Sequence, residues 1–503
     1  MDRRVRAPTL ATLAPKWALA AALFFALGAC ATVPSRGVTP AERQAMAGRM
    51  MVDIETLASD AFEGRKPGTP GAQKALDYLT QRFAEIGLTS GTNDPGNPWK
   101  APVRLTTVRA DSSKIELDLG NRAVALSPEE GVAVTTRRRE LIADGDMVFV
   151  GYGSQAIEAK DVMGKVAVML ADDSLNPERR VLLESKQAGA VLVVAQDPRL
   201  VRQVREESGR ETVNRTGEID EVFAAVATSE AMERAFGKDR WAALVEAASS
   251  PDFTPIDLRA KANIEASAQR RDFTSFNVIG RLAGTRPDSE AVLLIAHWDH
   301  LGLCRPAGAP DRICNGALDN ASGVALMLEL ARRLADAGSF ERDIYVLATT
   351  AEESGLLGAH AFAANPPLPL DSVIAAFNFD TVALAPAGAP VGFVGEGRTP
   401  LDTIVLEEML AGGRDLGDRA YAERFVQRQD AWALLQKGVP AVLLSSAFAS
   451  QITSGPFFGG AYHSPDDEVG AIELGGAIDD LLLHEALVKR LAIPSAPQEP
   501  AQP

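Results

Sequence analysis

The chain lacks an excess of basic residues. It contains 51 Lys and Arg against 67 Asp and Glu, which is a formal net charge of −16 over 503 residues. Nucleic-acid binding normally needs a basic face that replaces counterions on the phosphates. A nucleic-acid-binding protein is therefore excluded, and the length predicts a globular protein with two or three domains of about 150 residues each.

Histidine and cysteine are also scarce, with five and three residues. Cys304 and Cys314 are ten positions apart in a loop that contains Gly and Pro. A zinc site built from these two cysteines is disfavoured, because no nearby second cysteine pair completes four ligands. In an oxidising compartment the two cysteines can close their loop as a disulfide, and two free thiols are the alternative.

The apolar run near the N-terminus, residues 17–29, is too short for a membrane-spanning helix, which needs about 20 residues. Basic residues precede it and small residues end it, which is typical of a secretory signal. Residues 27–30, Leu-Gly-Ala-Cys, resemble the bacterial lipobox. We expect residues 1–30 to be a lipoprotein signal peptide and the mature protein to be exported, facing the periplasm or the cell exterior and anchored to the membrane by lipid on Cys30. An ordinary cleaved signal is the alternative.

Composition divides the rest of the chain. Residues 31–40 are expected to be a tether, and the Pro-rich residues 494–503 a disordered tail. Residues 41–100 are rich in helical patterns, among them ALDYLTQRFAEIGL with a stop at Gly87. Short β-like runs dominate residues 101–266. Strand and helix then alternate through residues 267–493.

Four continuous apolar runs in this last part read as strands that are covered on both faces: 291–296, 343–350, 372–379 and 439–446. A helix is predicted over residues 320–338. Alternation of this kind predicts an α/β fold with a mostly parallel mixed sheet flanked by helices. A Gly- and Phe-rich stretch, residues 449–461, is expected to be either a substrate lid or disordered.

Carboxylates and imidazoles follow these strands. They are His297 and Asp299 after the first, Asp319 at the following helix start, Glu352 and Glu353 after the second, Asp380 after the third, and Tyr462 with His463 beyond the fourth. In open α/β sheets ligands bind just beyond the carboxyl ends of the strands. We therefore expect these side chains to meet at one rim.

Crowded carboxylates repel each other unless a cation compensates them. Two His and three carboxylates suit zinc, which accepts nitrogen and oxygen ligands together. With one shared carboxylate, five side chains make two sites of three ligands each, and paired metals can activate water. Asp299 is placed to orient His297, and one of the two adjacent Glu residues can serve as general base. Taken alone, the pair Asp319-Asn320 before a helix is also explained as a helix cap.

These residues lie in motifs that resemble those of the co-catalytic zinc aminopeptidases: AHWDHLG, GALDNASG, AEESGLLGA, NFD and AYHSPDDEV. That family includes glutamate carboxypeptidases, glutaminyl cyclases and the non-enzymatic transferrin receptor. The resemblance covers roughly 45–100 and 270–490. The stretch between them, 101–266, is similar to the protease-associated domain that some members insert at this place.

The resemblance implies a ligand set and three further roles. His297 and Asp380 would hold one zinc, Glu353 and His463 the other, and Asp319 would bridge the two ions. Glu352 would take the proton from the attacking water, and Asp299 would orient His297. Tyr462 would help to polarise the scissile carbonyl, with packing at the rim as the alternative. The segment QDAWALLQKGVPAV departs from the family pattern, because Ala431 follows Asp430 where an Asp-His pair is common.

The expected function is that of a zinc-dependent exopeptidase with two zinc ions that removes N-terminal residues from peptides. A carboxypeptidase that acts on acidic dipeptides is the nearest alternative, and Arg398, Arg424 and Arg428 are candidates for binding its substrate's carboxylate unless they form surface salt bridges. A glutaminyl cyclase and then a non-enzymatic binding protein on the same fold are the next alternatives for the function. A related family that includes aminoacylases is disfavoured, since it inserts its second domain between the last two ligands. Side-chain specificity and oligomeric state stay open.

Overall fold

The computed structural model describes residues 37–153, 157–172, 175, 177–286 and 290–493. The predicted signal peptide with Cys30, the tether as far as residue 36 and the predicted C-terminal tail lie outside the described residues. The predictions made for them therefore stay predictions.

Helices occur along the whole described part of the chain. They are α1 (Pro40–Leu57), α2 (Pro70–Ile86), α3 (Ala159–Val162), α4 (Pro177–Ser185), α5 (Pro198–Ser208), α6 (Ser229–Phe236), α7 (Lys238–Ala248), α8 (Gly323–Ala337), α9 (Leu357–Ala364), α10 (Asp402–Ala411), α11 (Arg419–Glu423), α12 (Ala431–Leu435), α13 (Gln451–Phe458) and α14 (Leu474–Ala492). No helix among the described residues is both long and apolar enough to cross a membrane.

The strands vary widely in length. They are β1 (Thr89–Ser90), β2 (Lys100–Asp118), β3 (Ala123–Ala125), β4 (Gly131–Thr135), β5 (Arg139–Phe149), β6 (Val166–Leu170), β7 (Ala190–Ala195), β8 (Thr212–Arg215), β9 (Phe223–Thr228), β10 (Ile256–Leu282), β11 (Ala291–His297), β12 (Gly302–Leu303), β13 (Ile313–Cys314), β14 (Asp343–Thr349), β15 (Val373–Asn378), β16 (Gly392–Val394) and β17 (Ala441–Ser445).

Fifteen of the described strands form one mixed sheet, whose main path runs β16-β17-β15-β11-β14-β10-β5-β6-β7-β9-β4. Strands β17, β15, β11 and β14 are parallel to one another, and so are β5, β6, β7 and β9. β10 lies between these two groups and pairs antiparallel with both β14 and β5. The predicted fold class, a mostly parallel mixed sheet flanked by helices, is confirmed.

The first parallel group is covered on both faces. Along β11, Val292 and Leu294 pack into one hydrophobic core with α1, α2, α8 and α14. Leu293 and Ile295 pack into another core with α9 and α12. Successive side chains of a strand point to opposite faces, so a strand between two helical layers must be apolar throughout. This explains the continuous apolar runs that the sequence shows.

Local sequence explains where the helices begin and end. The side chain of Thr69 accepts a hydrogen bond from the N–H of Ala72 at the start of α2, and Gly87 ends the helix with a φ of 89°. A residue with a side chain is strained in this left-handed conformation, whereas glycine adopts it without strain. The helix predicted over 320–338 begins later than expected, because residues 317–322 form a wider turn before α8.

Residues 101–266 build the other end of the sheet. Their own core lies on β5, β6, β7 and β9 and is continued by Ile264 of β10. β10 pairs with β2 from Lys261 opposite Asp118 to Val278 opposite Lys100. The predicted boundary at residue 266 therefore falls inside a strand that both parts share. The protease-associated character of this insertion stays a prediction.

The Gly- and Phe-rich stretch is not disordered. Ser450 accepts a hydrogen bond from the N–H of Thr453 and caps α13, and Phe457 is buried in the core. The disordered interpretation is wrong because the aromatic side chains of this stretch have apolar partners to pack against.

Candidate active site

The predicted ligands meet at the carboxyl ends of the parallel strands. His297 is the last residue of β11, Glu352 and Glu353 follow β14, and Asp380 follows β15. His463 reaches the same place from the segment after α13. A parallel sheet brings its strand ends to one edge, which is why residues far apart in the sequence come together here.

Asp319 lies in the wide turn before α8. The N–H of Gly323, the first residue of α8, donates to the side chain of Asn320 and not to that of Asp319. The predicted helix cap is therefore provided by Asn320, whereas the carboxylate of Asp319 faces two histidines. The neighbouring Asn320 holds the turn in place, because its side chain donates to the carbonyl of Phe379 and accepts from the N–H of Gly323, both at 2.9 Å. This contact links the turn to the loop that carries Asp380.

Left-handed backbone conformations flank three of the ligands. Ala351, Thr381 and His463 have φ values of 54°, 50° and 57°. Such conformations cost a residue with a side chain about 1 kcal/mol or more and persist where the surrounding structure requires them. These three strained residues lie in the loops that point ligands at the centre.

Asp319 offers one carboxylate oxygen to each of two groups. Its Oδ1 is 3.3 Å from Nε2 of His297. The same nitrogen is 3.7 Å from Oδ1 of Asp380. Oδ2 of Asp319 is 3.4 Å from Nε2 of His463. That nitrogen is 2.8 Å from Oε2 of Glu353. The structure therefore brings all five predicted ligands together, with the predicted bridging residue between the two histidines.

This donor set fits metal ions. His297, Asp319 and Asp380 are buried, and each offers a donor atom within 4.8 Å of the others. Buried carboxylates at this spacing require a compensating cation. Burial opposes protonation of His463, but the hydrogen bonds that it donates to the carboxylates of Asp319 and Glu353 raise its pKa to about 10. Protonated histidines supply part of the positive charge that a metal ion supplies when it binds.

His300 also belongs to the site, although it was not among the predicted ligands. Its Nδ1 is 2.5 Å from Oε1 of Glu353, on the side away from His463. Its Nε2 is buried and has no hydrogen-bond partner among the described residues. His300, Asp319 and Glu353 form a second group whose donor atoms lie within 4.8 Å of one another. The signal was present in the sequence, because His300 lies in the same loop as His297.

Asp299 contacts His297 mainly through its backbone. Nδ1 of His297 is 3.2 Å from the carbonyl oxygen of Asp299 and 4.0 Å from its carboxylate. The carboxylate instead accepts a hydrogen bond from the N–H of Glu352 at 3.1 Å. Burial raises the pKa of Asp299 to about 7. Asp299 thus connects the loop after β11 with the loop after β14.

Glu352 faces the centre without bridging the two groups. Its Oε2 is 3.9 Å from Nε2 of His297, and the side chain is 12% exposed. Burial raises its pKa well above the usual value for a glutamate. A carboxylate that lies beside the metal donors with an open side can exchange protons with a water molecule placed there.

Tyr462 lies over His463, with ring centroids 3.7 Å apart and the rings nearly parallel. It also contacts the rings of Phe457 and Phe458 edge-on. The Tyr462 side chain lines the same cavity as Asp319 and Glu352. The ring contacts agree with packing at the rim, and the role of Tyr462 in polarising the scissile carbonyl stays a prediction.

Arg65 was not recognised from the sequence. Its guanidinium is fully buried and donates hydrogen bonds to four carbonyl oxygens, those of Leu57, Trp298, Asn315 and Gly316, at 2.6–3.0 Å. Trp298 follows His297, and Gly316 begins the turn that carries Asp319. One side chain therefore holds the two metal-bearing loops to the N-terminal helices. The only signal in the sequence was its place in the motif EGR.

Cys304 and Cys314 form a disulfide that joins the ends of the small β12–β13 hairpin. The hairpin lies on the segment that contains Arg65. A side chain at Gly64 would place its Cβ 2.3 Å from the carbonyl oxygen of Cys314, so only glycine fits at this contact. The disulfide thus lies beside the site without contributing to it.

The sequence of this half of the chain matches a known family. Residues 277–480 match peptidase family M28. This part of the chain is a peptidase family M28 domain. The protein is therefore a metallopeptidase, and the predicted resemblance to the metal-dependent peptidases is confirmed for the M28 domain. No curated protein matches the chain significantly in sequence.

Solved structures also resemble the chain. An aminopeptidase from Aneurinibacillus sp. strain AM-1 is 19% identical, with 91% of this chain and 96% of that chain covered and a TM-score of 0.52. A zinc aminopeptidase from Bacillus subtilis is 17% identical, with 89% and 95% covered and a TM-score of 0.47. A peptidase M28 precursor from Shewanella amazonensis SB2B is 17% identical, with 92% and 98% covered and a TM-score of 0.44. The first similarity shows that the M28 domain and the insertion share that protein's fold.

Proposed function

We propose that this protein is an exported zinc-dependent exopeptidase that removes N-terminal residues from peptides and holds two zinc ions. The observation that carries the proposal is the position of Asp319, whose two carboxylate oxygens each face one histidine of an M28 domain. The similarity in fold to an aminopeptidase supports action at the N-terminus.

The donor set supports two zinc ions. One would be held by His297, Asp319 and Asp380, the other by Asp319, Glu353 and His463. Nitrogen and oxygen donors in this mixture suit zinc. A pair of such ions lowers the pKa of water and stabilises negative charge on a carbonyl oxygen. His300 contacts Oε1 of Glu353, so Oε2 of Glu353 would remain available to the metal.

Protein side chains would carry the proton. Glu352 has a carboxylate beside His297 and free of the bridging contacts, so it takes a proton from the attacking water and gives it to the leaving amine. Tyr462 lines the same cavity as this carboxylate, and its hydroxyl would donate to the carbonyl oxygen of the substrate.

Export and anchoring rest on the first 30 residues of the sequence alone. The basic start, the apolar run and the lipobox-like segment support transfer across a membrane and lipid attachment at Cys30. A Cys30→Ala variant expressed in a bacterial host is expected to lose the mass of the lipid and to leave the membrane fraction. Wild-type protein that is recovered without lipid contradicts the anchor and leaves the peptidase proposal untouched.

The activity is tested with the mature protein, first chelated and then loaded with zinc. Free and N-acetylated peptides, some with N-terminal glutamine, are incubated with it and analysed by mass spectrometry. The expected result is zinc-dependent loss of N-terminal residues that acetylation blocks. Elemental analysis is expected to find two zinc ions per chain.

Other outcomes identify the alternatives. Release of residues from the carboxyl end would make the protein a carboxypeptidase, and loss of ammonia from glutaminyl peptides would make it a cyclase. A protein that binds no zinc would not be a zinc enzyme. Each of these results overturns the aminopeptidase proposal.

A further inference from the structure

The cavity beside the candidate metal site has a lining of two chemical kinds. Asp319, Glu352 and Asp380 contribute carboxylates of the predicted site. Apolar and aromatic side chains also line it: Phe425, Leu443, Phe448 and Phe458. A substrate group that lies in this cavity next to the reacting bond therefore has apolar side chains around it as well.

Arg428 is the one cationic side chain that lines this cavity among the described residues. Its guanidinium carbon lies 5.7 Å from the centre of the Phe425 ring, which keeps the cation against the aromatic wall. The guanidinium makes no ion pair with any carboxylate of the described residues.

Two neighbouring arginines, which the sequence offered as equal candidates, have protein partners. Arg398 pairs with the carboxylate of Glu423. Arg424 lies over the ring of Tyr421 and donates to Gln451 at 3.2 Å. Neither lines the cavity. Of these three arginines, Arg428 alone lines the cavity and can present its five donors to a ligand there.

We propose that Arg428 is a specificity-determining residue that binds a carboxylate of the substrate, so that the protein acts on peptides whose cleaved residue is acidic or whose free carboxyl end lies close to it. The proposal rests on the proposed peptidase function. A guanidinium matches a carboxylate with two parallel hydrogen bonds, and the methylene groups between that carboxylate and the reacting bond lie on the aromatic side chains.

The carboxylate has two possible sources, and the experiment separates them. Zinc-loaded protein is given the amides Glu-Ala-NH₂, Gln-Ala-NH₂ and Leu-Ala-NH₂, and the corresponding free dipeptides. If Arg428 binds an acidic side chain, kcat/KM for Glu-Ala-NH₂ exceeds that for Gln-Ala-NH₂ by about 10- to 100-fold. If it binds the carboxyl end, each free dipeptide exceeds its amide by a similar factor.

An Arg428→Gln variant decides whether Arg428 is responsible. The preference found for the wild-type protein is expected to fall to about one in this variant, while its zinc content and thermal unfolding stay those of the wild type. An Arg424→Gln variant is the matched control, because Arg424 is a neighbouring exposed arginine that does not line the cavity, and it is expected to keep the preference.

Two results overturn the proposal. One is a wild-type protein that cleaves all substrates without preference for a carboxylate. The other is a preference that survives in Arg428→Gln. Failure of the proposed function gives a different result. The protein would then bind zinc but cleave none of the substrates, including Leu-Ala-NH₂, and would not be an aminopeptidase.

Discussion

Asp467 accepts hydrogen bonds from the main-chain N–H groups of Leu318 and Asp319, one on each carboxylate oxygen, at 2.8 and 3.0 Å. Asp467 is fully buried and lies four residues after His463. It therefore couples the segment that carries one histidine ligand to the turn that carries the bridging carboxylate. Residues that hold metal ligands in this way affect metal affinity without touching the metal.

The first prediction concerns this contact. In Asp467→Asn, one oxygen becomes an amide nitrogen that cannot accept a hydrogen bond, so one of the two N–H groups loses its partner. We expect zinc affinity to fall about 10- to 100-fold, measured by competition with a chelator. Asp466→Asn is the control, because Asp466 is exposed and adjacent. Equal zinc affinity in the two variants would show that Asp467 does not position Asp319.

The second prediction separates the two adjacent glutamates. Glu352→Gln removes the group that exchanges protons and leaves the five metal ligands in place. We expect kcat to fall about 100- to 10,000-fold with the zinc content unchanged. Glu353→Gln removes a carboxylate that contacts His300 and His463, so we expect zinc content to fall. Elemental analysis and kinetics on the two purified variants test these roles. Loss of zinc in Glu352→Gln, together with loss of kcat at full zinc content in Glu353→Gln, would mean that the two roles are reversed.

The third prediction concerns the buried Arg65. Arg65→Met leaves the buried carbonyl groups of Leu57, Trp298 and Asn315 without a donor among the described residues, whereas that of Gly316 still accepts from the N–H of Ala321. We expect the free energy of unfolding to decrease by about 4 kcal/mol. Lys66→Met is the control, because the pair between Lys66 and Glu211 is more than one-third exposed on each side and contributes about 0–1 kcal/mol. Urea denaturation of the zinc-free proteins measures both values. Equal stability of the two variants would contradict a structural role for Arg65.

The fourth prediction concerns pH. Burial lowers the pKa of His484 to about 4, and its Nε2 has no hydrogen-bond partner among the described residues. The unfolded chain therefore binds a proton at higher pH than the folded one, and folding stability decreases as the pH falls from about 6.5 to 4, by up to about 3 kcal/mol. Above pH 6.5 this contribution is constant.

His484→Gln tests this prediction, because glutamine does not titrate. The nearby charged pair of Arg414 and Asp480 stays in place in the variant, so its own pH dependence cancels in the comparison. The difference in unfolding free energy between the wild-type protein and the variant should change between pH 7 and pH 4.5. A difference that is constant over this range would mean that His484 is not neutral in the folded protein.

Much of the site could be predicted because it follows continuous apolar runs. Each run in the sequence corresponds to a parallel strand, and His297, Glu353 and Asp380 each lie at the end of one or just after it. The positions of Arg65 and Asp467 could not be predicted, since their partners are main-chain groups of residues far away in the sequence. A sequence pattern carries no information about such main-chain contacts.

The sequence by itself determined the α/β class, the order of the metal donors along the chain and the chemistry that histidines and carboxylates together can perform. These depend on periodicity and residue type, which are local. Only the tertiary structure decided that His300 contacts Glu353 and that Arg428, rather than Arg398 or Arg424, lines the cavity. The physical reason is that these facts depend on the directions in which loops leave the strands, and loop directions follow from packing between distant segments.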